Sequence, residues 1–101
     1  MPLLFAGPSE LHVTARRIRD HAVDLRHRAA LLCASAENVH WRSPAADSFR
    51  ARVSDVASRM RVAARDLELS ADSLDRHARR VSHALASAEH AVVRAVEFVA
   101  L

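Results

Sequence analysis

Beyond Pro8 the chain has no glycine and only one proline, Pro44, so almost nothing in it can turn or break a helix. From Leu11 the apolar or small residues run Leu11, Ala15, Ile18, Ala22, Leu25, Ala29, Leu32, Ala36 and Val39, in alternating steps of four and three. That spacing keeps one stripe on one face of an α-helix and is a heptad seam. Gly7, Pro8 and Ser9 supply start signals, and Glu10 falls in the first turn, where the helix dipole favours a negative charge. A β-rich fold would need far more turn chemistry than this sequence holds.

The single interruption predicts a reversal. Ser43 is suited to N-cap a second helix, Pro44 to occupy its first position and Asp47 to lie in its first turn. Because a proline pushes the preceding residue away from helical dihedrals, the first helix is expected to span about 9–40, with a turn at 41–43. The second helix, about 44–100, carries its own apolar run: Phe49, Val53, Val56, Met60, Ala63, Leu67, Ser70, Leu74, Ala78, Val81, Leu85, Ala88, Val92, Ala95 and Val99. Two successive steps of four at Ser70, Leu74 and Ala78 predict a local unwinding of the supercoil. A fray or kink around 82–87 is left open.

The expected fold is therefore all-α: a single-domain antiparallel two-helix hairpin with a long second helix. At about 1.5 Å per residue that helix spans roughly 85 Å, and the first reaches little more than half as far. The stretch from Val81 to Val99 overhangs yet keeps an apolar stripe. Two helices sharing one narrow seam bury little, so dimerisation into a four-helix bundle is expected to complete the core. Leu31, Val62 and Leu69 fall off the seam and are read as a second apolar strip.

Charge narrows the function classes. All 15 basic residues are arginine, the net charge is only +3, and Asp or Glu recurs at helical spacing from Arg. The pairs Arg16 with Asp20, Asp24 with Arg28, Asp55 with Arg59, Asp72 with Arg76 and Asp75 with Arg79 predict a solvated, salt-laced face. The single cysteine, Cys33, excludes an internal disulfide framework and fits a reducing compartment. Residues 1–8 lack the basic start and apolar length of a secretory leader, and no apolar run approaches the ~18 residues of a membrane span. The chain is expected to be made in the cytoplasm, and any export to use a route without a cleaved leader.

The segment Trp41-Arg42-Ser43-Pro44-Ala45-Ala46-Asp47-Ser48-Phe49-Arg50 resembles the turn of the Trp-X-Gly (WXG) family, the ESAT-like proteins exported by type VII secretion systems. The resemblance covers Leu11 to about Leu85 and rests on the Trp before the turn, the paired Ala, and the Phe-Arg after it. Two departures are visible: Ser43 stands where the family usually has glycine, and the chain has no tyrosine for the family's Tyr-X-X-X-Asp/Glu export signal. The resemblance implies a secretion substrate or the helical partner of one, and the missing tyrosine points to the partner. It further implies that Trp41 contacts a partner or a secretion ATPase, while the bland alternative is that its indole closes the open end of the hairpin.

The partner-contact residues expected from both lines are Trp41, Phe49, Leu31, Val62 and Leu69, with Leu85, Val92 and Val96 from the overhang; Trp41, Ser43 and Pro44 form the turn motif. The partner is expected to be a second copy, another small helical protein, or the helical N-terminal region of a large exported protein. No nucleophile has a base and orienter in view and no glycine loop could cradle phosphate, so the chain is read as non-enzymatic, with no cofactor. His77, His83 and His90 are spaced by six and seven, which does not give the pair four apart of a helical zinc site. The rival from another class is nucleic-acid binding through Arg16, Arg17 and Arg19 or Arg76, Arg79 and Arg80, against which the interspersed acids argue. A structural coiled-coil adaptor unrelated to secretion is the other alternative.

Overall fold

The structure, a computed structural model, describes residues 7–39 and 42–100. Two helices, α1 (Pro8–Glu37) and α2 (Pro44–Ala100), lie against each other along all of α1. Among the described residues there is no strand. The molecule is an all-α helical hairpin measuring 87 × 19 × 14 Å, with a radius of gyration of 23.6 Å. A compact domain of this length would have a radius of ~13 Å, so this is a rod, two helices thick along α1 and one beyond it.

Local chemistry sets the helix ends. Gly7 caps α1 in an extended conformation, Pro8 takes the first position, and the Leu11 amide donates to the Gly7 carbonyl at 3.1 Å. The helix stops at Glu37, earlier than the 40 expected from sequence. Asn38 caps its C-terminus with its N–H donating to the Ala34 carbonyl at 3.2 Å, the Val39 N–H donates to the Ala36 carbonyl at 3.4 Å, and the Val39 carbonyl, freed from the helix, accepts from Arg50 Nη2 at 2.7 Å. At the start of α2 the Ser43 hydroxyl accepts from the Ala46 amide at 3.1 Å, and the Ser43 carbonyl accepts from Asp47 at 3.0 Å. Ser43 thus satisfies orphan donors of the first turn without needing left-handed backbone. Past that cap α2 runs unbroken through 82–87.

The core is built from alanine. Buried in α1 are Leu11, Ala15, Ala22, Ala29 and Ala36, and in α2 Ala46, Ala57, Ala64, Ala71 and Ala78, none more than 5% exposed. Between them the larger residues Ile18, Leu25, Leu32, Val53, Met60, Leu67 and Leu74 are half-buried. The α2 seam is therefore Ala46, Arg50, Val53, Ala57, Met60, Ala64, Leu67, Ala71, Leu74, Ala78 and Val81. This corrects the sequence reading. Phe49, Val56, Ala63 and Ser70 are exposed, one residue off the buried positions, and with Ala57, Ala64 and Ala71 in their place the steps alternate without a stutter.

The Arg50–Val39 bond fixes the register, and stepping away from it in threes and fours puts one alanine in each layer. Counted this way, Ala36 falls opposite Val53, Leu32 opposite Ala57, Ala29 opposite Met60, Leu25 opposite Ala64, Ala22 opposite Leu67, Ile18 opposite Ala71, Ala15 opposite Leu74, and Leu11 opposite Ala78. An alanine in every layer lets the backbones approach at the short end of the roughly 8–10 Å range of helix packing. The larger partner then lies across a methyl group, with one side open to solvent.

A close alanine seam tolerates no added volume. Ala64→Leu should lower stability by about 1–3 kcal/mol through overpacking, whereas Ala63→Leu next to it should change it by less than about 0.5 kcal/mol. Thermal melts followed by circular dichroism check the pair, and the reverse order would return the seam to the residues first read from sequence.

Candidate partner-binding surfaces

The two sides of the seam differ in chemistry. On one side, residues just past the larger core positions of each helix meet across the hairpin: His12, Arg19, Arg26 and Cys33 of α1 with Asp75, Glu68 and Arg61 of α2. His12 Nδ1 and Asp75 Oδ1 are 2.7 Å apart, Arg19 holds Asp75 at 2.6 Å and Asp72 at 2.8 Å, and Arg26 binds Glu68. Arg61 Nη2 donates to the Cys33 sulfur at 3.7 Å, so the half-buried thiol is part of this edge. The larger core residues are walled in here by a ladder of charge.

This ladder revises the charge reading. Asp24–Arg28 and Asp55–Arg59 do pair within a helix, but Asp72 and Asp75 turn to the other helix, and Arg76 donates to the Ser73 hydroxyl instead. Asp75 is drawn across because its side chain, only 16% exposed, meets two donors at once. The hydrogen bonds from His12 and then Arg19 hold its carboxyl below the usual carboxylate range, and the Asp72 and Asp75 carboxylates raise the Arg19 guanidinium pKa.

Among the described residues the opposite side has no such ladder. It presents Phe49, Val56, Ala63 and Ser70 from α2 beside Thr14, His21, Arg28 and Ser35 from α1. Phe49 and Val56 are 44% and 45% exposed and lie next to the half-buried Val53 and Met60 side of the seam. Leu31, also exposed, is on α1 at the level of Val56. Val62 and Leu69 are exposed on the outward face of α2, and the row of Arg59, Asp66 and Ser73 separates them from Phe49 and Val56, so they do not join Leu31 in one strip. Trp41 lies outside the described residues, while Ser43 and Pro44 form the start of α2.

The third surface is the overhang. Every residue from Ser82 to Ala100 is exposed, Leu85, Val92, Val96, Phe98 and Val99 among them. A shallow apolar groove runs along Val92, Ala95, Val96, Val99 and Ala100. Arg76, Arg79, Arg80 and His83 cluster near the base of the overhang. Among the described residues no group of three His, Cys, Asp or Glu is placed to hold a metal ion, and no helix is long and apolar enough to cross a membrane. Comparison with family models, curated proteins and solved structures finds no match for this chain.

The bonds to Asp75 set a pH dependence. A carboxylate whose pKa is lower folded than unfolded stabilises the fold fully above its unfolded value, near 3.8, and that stabilisation is lost as pH falls through the folded value. Asp75→Asn should melt below the wild type at pH 7, and the difference should shrink as the pH is taken from 5 to 2. A gap that stays constant across that range would show that the carboxylate contributes nothing through its charge.

Proposed function

We propose that this chain is a non-enzymatic helical protein of the type VII secretion pathway, a secreted substrate or the helical partner of one, acting by helix–helix packing. The observation that carries the reading is a helical hairpin whose reversal falls between Glu37 and Pro44, with Ser43 and Pro44 starting the second helix, in the stretch of sequence that carries the Trp41-Arg42-Ser43-Pro44 motif. The Trp-X-Gly resemblance supplies the pathway; the hairpin supplies a means of acting within it.

That means is the open side of the seam. A docked pair of helices would cover Phe49, Val56 and the exposed flanks of Met60 and Val53, giving the larger core residues the second wall that the hairpin lacks. The ion-pair ladder disfavours the same docking on the other side, because covering it would strip water from Arg19, Asp72, Arg26 and Glu68. Partners of matching form are a second small helical hairpin and the helical N-terminal region of a large exported protein.

Co-expression with a small helical protein or large toxin encoded beside this gene tests the reading. The two chains should co-purify in equal amounts, Phe49→Arg or Val56→Arg should weaken the complex by tenfold or more, and Val62→Arg should leave it intact. Export should cease when the type VII ATPase is deleted. Secretion that ignores that ATPase, or a complex indifferent to Phe49 and Val56, would overturn the reading.

One cluster supports the nucleic-acid alternative, since Arg76, Arg79, Arg80 and His83 share one patch. Under the packing reading the chain should leave heparin at low salt. Retention that falls steeply with salt, in step with the number of phosphate contacts, would favour the alternative.

A further inference from the structure

The seam does not stop where α1 does. Beyond Ala78 and Val81 the same alternation of three and four continues through Leu85, Ala88, Val92, Ala95 and Val99, on the face that α1 covers lower down. What changes is size. Inside the hairpin the positions of Ala57, Ala64, Ala71 and Ala78 are small and those of Val53, Met60, Leu67, Leu74 and Val81 are large. In the overhang the first set becomes Leu85, Val92 and Val99, and the second becomes Ala88 and Ala95. A helix patterned like α1 would set a large residue against Leu85 and an alanine against Ala88. It cannot serve.

We propose that the overhang pairs with the overhang of a second copy, antiparallel and tip to tip, about a two-fold axis beside His90. In that register Leu85 faces the second copy's Ala95 and Ala88 faces its Val92, with the same two layers repeated by symmetry. Each of these four layers holds one large residue and one alanine, the rule that the eight layers of the hairpin obey. The outermost layer sets Val81 against the second copy's Val99 and joins the new seam to the old one. Ala91 flanks the axis on one side. On the other, Glu89 comes near its own symmetry mate, so one like-charge contact opposes the pairing.

The interface is small. Two overhangs about 30 Å long and 10 Å wide bury well under the ~1,200 Å² of a standard interface, so the dimer is weak and concentration-dependent. Its shape is distinctive: two copies of α2 overlapping only at their tips make a rod roughly 140 Å long. Side-by-side packing of hairpins would stay near the 87 Å of one chain. The inference rests on the packing register and not on the secretion reading.

Sedimentation equilibrium and small-angle scattering on the full chain, across micromolar to millimolar concentration, test it. The expected result is a reversible monomer–dimer equilibrium with a maximum dimension near 140 Å. Val92→Arg, which enters the interface twice, should weaken the dimer at least tenfold with helicity unchanged by circular dichroism. Glu89→Gln should tighten it several-fold, and Phe49→Arg, far from the overhang, should leave it unaltered. A chain monomeric throughout, a dimer near 90 Å long, or one that survives Val92→Arg would overturn the inference, whatever the outcome of the secretion experiments.

Discussion

Close approach of two helices, made possible by an alanine in every layer, is the constraint on which the rest of the molecule depends. A methyl group opposite each Leu, Ile, Met or Val lets backbones meet without interlocking large side chains, and a single layer then holds only one sizeable residue. Such a seam gains little from burial, since among the described residues only Leu11 of the larger side chains is fully enclosed. Much of the stability must come from local helix preference, for which alanine and arginine are among the best residues. The fold is stiff along its length and poorly insulated across it.

That poor insulation makes the flanks important. The larger core residues stay half-buried, and the two sides are finished differently: one by the His12–Asp75–Arg19–Asp72 and Arg26–Glu68 contacts, the other by the exposed Phe49 and Val56. Exposed ion pairs contribute modestly to stability, yet they bias which side a neighbour can cover, because a neighbour there must desolvate charge. Specificity of docking follows from this asymmetry more than from any single contact.

The fold was legible in the sequence because its signals are local. One proline in a chain otherwise free of breakers beyond Pro8 specified two helices, Ser43 and Pro44 carried a helix start, and the seam from Leu11 to Val39 is buried or half-buried at every position. The α2 seam was misread by one residue at alternate positions, since Val56 beside Ala57 looks the better core residue when burial is judged by hydrophobicity. The missing fact was that the alanines are the buried positions, a pattern that emerges only when both helices' alanine repeats are set side by side. Neighbouring pairs such as Asp72 and Arg76 were misassigned for a related reason: local spacing cannot foresee a partner such as Arg19 on another helix. Of the candidate site, Phe49, Leu31, Val62, Leu69, Leu85, Val92 and Val96 are all exposed, but they divide among three surfaces that only the register separates.

The overhang shows how composition can keep a surface ready for use. An amphipathic helix with nothing against it is marginal in water when its residues are indifferent to helix formation. Here Ala84, Ala86, Ala88, Ala91 and Ala95 alternate with Leu85, Glu89 and Arg94, all strong helix formers, and no glycine or proline intervenes. The segment continues a helix already nucleated below Val81, so it extends one residue at a time without a new nucleation cost. A partner therefore meets a surface that is already helical, and less ordering entropy opposes the contact than if the last twenty or so residues had to fold on binding. Small residues thus serve twice, admitting close approach in the hairpin and holding the uncovered tip in the shape that close approach requires.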